Sequence, residues 1–285
     1  MLTTSHFEPI DYLIIGHLTQ DLTAEGPKIG GTAAYAALTA QALGRRVGVV
    51  TACAPGTPLH DLPGIQIANS PSEYSTTFEN IITPAGRVQF IYHLAHNLDI
   101  SMVPRVWRQA PIVHLGPVAQ EVEPDLVRYF PDALIGLTPQ GWLRAWDKQG
   151  KVHPCEWPEA TFVLERSTAA VLSIEDIQGD ETRLVEMASS IRTLVVTEGA
   201  NGARLFLNGD MLRFTPPQMT EIDPVGAGDI FAAAFFHSLQ ITRDAREAVR
   251  FATQLAAYSV TRRGLKGIPT PDEIESSKIE IIQTY

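Results

Sequence analysis

The clearest signal in the chain is the run Glu221-Ile222-Asp223-Pro224-Val225-Gly226-Ala227-Gly228-Asp229, which leads into the apolar segment Ile230-Phe231-Ala232-Ala233-Ala234-Phe235-Phe236. The apolar segment predicts a buried helix that begins at the glycines. Free N–H groups at a helix start attract anions, and glycines let a phosphate come close to them. Asp229 in this first turn either takes a proton from an attacking hydroxyl or interacts only with the helix dipole. The local pattern leaves both interpretations open.

Composition narrows the classes of protein and partner. The 285 residues are 45% hydrophobic and 19% charged, enough for one large α/β domain or two small ones. The net charge of −10 argues against nucleic acid or an anionic membrane as a partner. No apolar run could span a bilayer, and residues 1–10 lack the features of a signal peptide. Cys53 and Cys155 make neither a disulfide framework nor a metal motif, so we expect reduced thiols in a cytoplasmic protein.

A second junction between glycines and a helix lies near the N-terminus. Residues 12–16 predict a buried first strand, and Gly30-Gly31 opens an alanine-rich helix that ends at Gly44. The diglycine either lets ligand atoms approach the backbone or makes a plain tight turn. Asp21 lies in a polar segment, 17–29, that we expect to be a loop. Because ligands bind beyond the C-terminal ends of strands in open α/β sheets, Asp21 is either a ligand contact or a surface aspartate.

A β-hairpin is predicted over residues 76–94. Two β-prone runs flank Pro84-Ala85-Gly86, which is a turn signal. No helix interleaves here, so we expect the hairpin to lie outside the main sheet. The functional interpretation is a flap that covers a ligand, and the alternative is a structural hairpin or a subunit interface. Both interpretations can hold at once.

The rest of the chain alternates between strand and helix patterns, with a late hairpin around Asn208-Gly209. The predicted strands are 47–51, 65–67, 112–115, 134–137, 161–164, 169–173 and 194–197, and the predicted helices are 125–130, 180–190, 244–260 and one that begins at 271. Repeated βα units predict the α/β class, with a doubly wound, mostly parallel sheet flanked by helices. The late hairpin makes one edge of the sheet antiparallel.

Two common nucleotide-binding motifs are missing, since the sequence has no G-x-x-x-x-G-K-[ST] and no G-x-G-x-x-G after the first strand. The sequence instead resembles the ribokinase-like (PfkB) carbohydrate kinase family over nearly its whole length. The most specific match is Asp223-Pro224-Val225-Gly226-Ala227-Gly228-Asp229-Ile230-Phe231, which resembles the C-terminal signature of that family. Residues 30–44 resemble its N-terminal signature, and residues 196–202 resemble its nucleotide-contacting turn.

The resemblance implies a single ribokinase-like α/β domain over residues 1–285, with a small β lid formed from about 17–29 and 76–98. It implies transfer of the γ-phosphoryl group of ATP, with Mg²⁺, to an alcohol of a small sugar, a polyol such as inositol, or a nucleoside. A homodimer through the lid and a site for K⁺ are further expectations. The implied site residues are the base Asp229 with the anion-binding turn Gly226, Ala227 and Gly228; Asp21, Gly30, Gly31 and Tyr35 for the substrate; Thr197, Gly199, Gly202, Gly228 and Thr253 for ATP; and Asp223 and Val225 for K⁺.

The chain departs from the family pattern at two places. Tyr35 replaces the usual Asn and cannot offer an amide to a sugar hydroxyl, so we expect a reshaped substrate pocket. The family motif Asn-x-x-Glu, which organises Mg²⁺ and phosphate, appears only as Ser173-Ile174-Glu175-Asp176. Asp176 fits the Glu position by spacing, and Glu175 is the neighbour that could substitute. The alternative function is a catalytically silent relative that binds a ligand or a protein; Asp229 with the full glycine run favours the enzyme.

Overall fold

The computed structural model describes residues 7–83 and 86–278. In chain order the strands are β1 (Tyr12–Ile15), β2 (Thr19–Thr23), β3 (Gly26–Gly30), β4 (Val47–Cys53), β5 (Gln66–Pro71), β6 (Thr77–Thr83), β7 (Gly86–His93), β8 (Ile112–Leu115), β9 (Leu134–Leu137), β10 (Arg144–Trp146), β11 (Val152–Pro154), β12 (Ala169–Ser173), β13 (Thr193–Thr197), β14 (Ala203–Leu207) and β15 (Asp210–Phe214). The α-helices are α1 (Gly31–Ala42), α2 (Ala160–Leu164), α3 (Glu181–Ser189), α4 (Ala227–Thr242), α5 (Ala245–Ser259) and α6 (Pro271–Lys278).

The central sheet has the order β15-β14-β13-β12-β9-β8-β1-β4-β5. Its strands from β13 to β5 pair in parallel, while β14 and β15 are antiparallel additions at one edge. The predicted mostly parallel sheet with one antiparallel edge is therefore confirmed.

Both faces of the sheet are buried, as a parallel sheet requires. Along β1, Tyr12 and Ile14 join one apolar cluster, whereas Leu13 and Ile15 join another on the opposite face. Helices α1, α4 and α5 cover the first face, and α2 and α3 cover the second. Helix α4 approaches the sheet closely because Gly136 has no side chain: a Cβ there would lie 2.7 Å from the ring of Phe236.

A separate four-stranded sheet has the order β3-β2-β6-β7 and corresponds in position to the expected lid, so it is called the lid below. The predicted hairpin is present as β6 and β7, although Pro84 and Ala85 of its expected turn lie outside the described residues. The expectation of a loop over 17–29 is wrong, because β2 and β3 pair there and β2 also pairs in parallel with β6. Polar side chains suit β2 and β3, because four residues of these two strands are exposed to solvent.

Two further predictions of local structure need correction. Residues 161–164 belong to helix α2 rather than to a strand, and a run of four residues is too short for periodicity to separate the two. The helix expected at 125–130 is a short 3-10 turn over Pro124–Arg128. The helices predicted around 180–190 and 244–260 are confirmed as α3 and α5. Among the described residues, no helix combines the length and apolar character needed to cross a membrane.

Candidate active site

The start of helix α4 is an open turn with unused N–H groups. Its N-cap, Gly226, has φ +81° and carries no capping side chain. The Ala227 N–H donates to the Pro224 carbonyl at 3.2 Å, whereas no acceptor is found within residues 7–83 and 86–278 for the N–H of Gly228 or Asp229. Gly228 is exposed, and a Cβ added there would meet nothing within 4 Å. The turn can therefore receive an anion.

Glycine at position 226 is required for two reasons. Its positive φ is one that other residues adopt only with strain. A Cβ at this position would also lie 2.7 Å from Cγ of Tyr35, and nearer still to Cδ1 and Cε1. The ring of Tyr35, on α1, therefore lies directly against the turn.

Asp229 lies in the first turn of α4 and is partly buried. Its Oδ1 accepts a hydrogen bond from the Thr32 hydroxyl at 2.7 Å. Burial raises the pKa of Asp229 to about 6; Thr32 and the nearby Arg144 lower it, and the charges of Asp176 and Asp21 raise it. Such a carboxylate is a stronger base than an exposed aspartate and is still mostly ionised at neutral pH.

The lid supplies the other predicted acid. Asp21 lies on β2, and its Oδ1 accepts a hydrogen bond from Thr19 Oγ1 at 3.1 Å. A Cβ on Gly30 would lie 2.9 Å from Asp21 Cγ, and one on Gly31, where φ is +81°, would lie 2.8 Å from the carbonyl oxygen of His17. The diglycine thus lets strand β2 approach the start of α1, so that Asp21 lies close to Gly30.

The two acids after β12 differ in their surroundings. Asp176 accepts hydrogen bonds from the backbone N–H of Ser173 at 2.9 Å and from Gln140 Nε2 at 3.1 Å. Its side chain is 8% exposed, and Nη2 of Arg144 lies 4.0 Å from its Oδ1. Glu175 is exposed to solvent. Of the two alternatives, Asp176 faces the same region as Asp229.

The predicted donor-binding residues lie at the end of β13 and beyond. Thr197 ends that strand, and Gly199 and Gly202 both have positive φ in the turn that follows. A Cβ on Gly202 would lie 2.8 Å from Cδ of Pro216, whereas one on Gly199 would meet nothing within 4 Å. Thr253, on α5, has a buried hydroxyl for which no hydrogen-bond partner is found in the part of the chain that is described.

Asp223 connects the loop before α4 to a distant segment. Its Oδ1 accepts from the Val225 N–H at 3.0 Å, and its Oδ2 accepts from the Gly264 N–H at 2.9 Å. Both oxygens are thus used to hold the loop in place. The side chain of Val225 is a hydrocarbon without an oxygen, so only the backbone of this residue could serve the predicted K⁺ site. That site stays a prediction.

Three residues of the site were not found from the sequence, namely Thr32, Gln140 and Arg144. Thr32 directly follows the quoted diglycine and could have been noticed there. Gln140 and Arg144 belong to no motif, and only the fold brings them to Asp176.

Comparisons with known sequences point to one kind of protein. Residues 159–272 match the model of the pfkB family carbohydrate kinases. The chain is 24% identical over 281 residues to a protein of Arabidopsis thaliana named probable fructokinase-4, covering 87% of this chain and 86% of that protein. It is 23% identical over 289 residues to the cytidine kinase of Thermococcus kodakarensis, covering 90% and 98% respectively.

Solved structures share the fold. A pyrophosphate-dependent kinase of the ribokinase family, solved with sulfate, superposes with a TM-score of 0.78 at 20% identity, covering 93% of this chain and 99% of that one. A putative ribokinase II from E. coli, solved with ATP and Mg²⁺, gives a TM-score of 0.70 at 19% identity, covering 94% and 98%. The ribokinase-like fold is therefore confirmed.

Proposed function

Since this chain belongs to the PfkB family of ribokinase-like carbohydrate kinases, which transfer a phosphoryl group to an alcohol, we propose that it transfers the γ-phosphoryl group of ATP to a hydroxyl of a small sugar or polyol, with Asp229 as the general base. One observation carries this proposal. A carboxyl with a pKa of about 6 lies beside a helix start whose N–H groups are open to an anion.

The chemistry follows from these two features. A hydroxyl of the acceptor gives its proton to Asp229 as its oxygen attacks the γ-phosphorus, and the bond from that phosphorus to the bridging oxygen breaks. The N–H groups of Gly228 and Asp229 face the negative charge that develops, while the Ala227 N–H holds the turn itself. Losing the base alone should reduce the rate by about 10²–10⁴-fold.

Arg144 is a second proposed source of positive charge. Its side chain is 18% exposed and lies close enough to Asp176 and Asp229 to be attracted by both. A guanidinium in that position can bind phosphate oxygens with two parallel hydrogen bonds. We therefore expect Arg144 to contact the donor phosphates during transfer.

The described residues fit a nucleotide donor with Mg²⁺. Thr253 has a buried hydroxyl without a hydrogen-bond partner among residues 7–83 and 86–278, and the space at Gly199 is open. The loop before α4 exposes three apolar side chains, Met219, Ile222 and Val225, to which a nucleobase could bind. Bound Mg²⁺ would neutralise charge on the phosphates, with Asp176 as the acid that helps to hold it.

The acceptor would bind between the lid and the start of α1. Asp21 offers a carboxylate to substrate hydroxyls, and Gly30 and Gly31 offer close access to the backbone. Closure of the lid would exclude water, which otherwise competes with the acceptor for the phosphoryl group. Sugars and polyols, including inositol, suit such a site, and nucleosides remain a second acceptor class.

The direct test is a matrix of donors and acceptors. The protein with Mg²⁺ and KCl is incubated with ATP or pyrophosphate and with sugars, polyols or nucleosides, and phosphorylated products are followed by ³¹P NMR. Pyrophosphate is included because a protein with this fold uses it as the phosphoryl donor. Pyrophosphate has no nucleobase, so it cannot make the contact proposed for the apolar loop. We expect a product with ATP and a sugar or polyol. No product from any pair would refute the proposal and favour the catalytically silent alternative.

A further inference from the structure

Helix α1 contacts the candidate base directly. The Thr32 side chain donates its hydroxyl hydrogen to Oδ1 of Asp229, although the two residues are 197 positions apart in the chain. Thr32 is buried, and its methyl group occupies the space that Gly116 leaves: a Cβ there would lie 2.8 Å from Thr32 Cγ2. The Thr32 rotamer is thus fixed by packing on one side and by the carboxylate on the other.

The same helix also contacts the anion-binding turn. Tyr35 is three residues after Thr32 and therefore on the same side of α1. It is 4% exposed, and its ring lies against Gly226 where this residue begins α4. A Cβ added to Gly264 would lie 3.9 Å from the hydroxyl oxygen of Tyr35, so the far end of the side chain approaches that segment. Tyr35 is thus packed beneath the turn.

We propose that α1 positions both halves of the reaction centre: Thr32 orients the carboxylate of Asp229, and the ring of Tyr35 holds the Gly226 turn whose N–H groups receive the phosphoryl group. Both are positioning residues, and the proposal rests on the kinase function proposed above. It gives Tyr35 a role that the substrate-binding expectation did not include. It also accounts for the aromatic ring at this position, because an amide side chain would leave the space below Gly226 unfilled.

A second threonine on the helix shows what a purely structural hydroxyl does. Thr39 is fully buried, and its hydroxyl donates to the carbonyl of Tyr35 at 2.8 Å, one turn earlier in the same helix. Thr32 instead reaches across to α4. Thr39→Val is therefore a matched control for Thr32→Val, since each exchanges a buried hydroxyl for a methyl group on α1.

Removing the Thr32 hydroxyl should change the pKa of Asp229 in a definite direction. The Thr32 hydrogen bond lowers the pKa of Asp229, as does Arg144, against the raising effects of burial, Asp176 and Asp21. Removing the bond should therefore raise the pKa of Asp229 by about one unit. The acid limb of the kcat/KM profile should move up with it, and kcat at pH 7 should fall at least about twofold, because only about half of the Asp229 carboxyl would then be ionised.

The pKa of Asp229 can be measured without turnover, from the ¹³C chemical shift of its carboxyl carbon as pH is varied, with Asp229→Asn to identify the signal. We expect an upward shift in Thr32→Val, the wild-type value in Thr39→Val, and recovery in Thr32→Ser. An unchanged value in Thr32→Val would overturn the role of Thr32. If the shift occurs but the wild-type protein phosphorylates nothing, the contact stands and the kinase function fails.

Two substitutions at Tyr35 separate the effect of its ring from the effect of its hydroxyl group. Tyr35→Phe keeps the ring, so kcat of Tyr35→Leu should lie about tenfold or more below that of Tyr35→Phe, with a smaller change in KM for the acceptor. Circular dichroism and thermal unfolding check that both variants fold. If Tyr35→Phe loses as much kcat as Tyr35→Leu, or if only KM for the acceptor changes, the positioning role of the ring is wrong.

Discussion

Replacing Gly226 with alanine should slow phosphoryl transfer about 100-fold while leaving the protein folded. The added Cβ would lie 2.7 Å from Cγ of Tyr35, whereas ordinary contact begins at 3.4 Å. The turn must therefore move by at least about 0.7 Å, and by more at the nearer ring atoms. A displacement of about 1 Å in a group that positions the reaction costs about 10²-fold in rate.

A control variant removes the effect of backbone strain. Gly44 has φ +81°, the same as Gly226, but a Cβ there would meet nothing within 4 Å. Gly44→Ala should therefore show the cost of the positive φ alone, about 1 kcal/mol, or a fall in Tm of about 2–4 °C. Its kcat should equal that of the wild-type protein.

The assay is rapid-quench measurement of product formation at saturating donor and acceptor, with thermal unfolding run in parallel. We expect kcat of Gly226→Ala to be about 100-fold below that of Gly44→Ala. If the two variants turn over within about twofold of each other, the position of this turn does not control the rate, and our reasoning about the anion-binding turn is refuted.

Three more outcomes follow from the site. Arg144→Ala should lower kcat about 10–100-fold and Arg144→Lys should recover part of it, by rapid-quench kinetics; an unchanged kcat would exclude a contact with the phosphoryl group. Asp21→Ala should raise KM for the acceptor about tenfold or more and leave the Kd of ATP unchanged by calorimetry; loss of ATP binding would contradict its placement. Finally, kcat/KM should fall as pH drops below about 6, because protonated Asp229 cannot accept a proton; a flat profile down to about pH 5 would contradict this.

The sheet and the two helix starts were predictable because their signals are local. The run at Tyr12–Ile15 is apolar at every position, and the glycines before α1 and α4 mark turns that other residues would strain. Helix α2 was predicted as a strand because its few apolar residues fit either period. The local pattern at 17–29 predicted a loop, since its polar residues carry no apolar alternation, and only the family resemblance implied a β lid there; the pairing of β2 is set in part by the neighbouring hairpin.

The site itself was only partly predictable from sequence. Asp21 and Asp229 stood beside recognisable glycine patterns, and the fold brings both to the start of α1. The contact between Thr32 and Asp229 joins residues far apart in the chain, so no local spacing could reveal it. The packing of Tyr35 below Gly226 depends in the same way on how α1 and α4 meet. Such contacts are properties of the tertiary structure.

The central claim is that Asp229 removes the proton from the acceptor hydroxyl, and single-turnover kinetics of Asp229→Asn tests it most directly. With ATP, Mg²⁺ and the best acceptor of the panel, we predict a transfer rate about 10²–10⁴-fold below that of the wild-type protein, with the Kd of ATP nearly unchanged. A transfer rate within about threefold of the wild-type value would contradict the account.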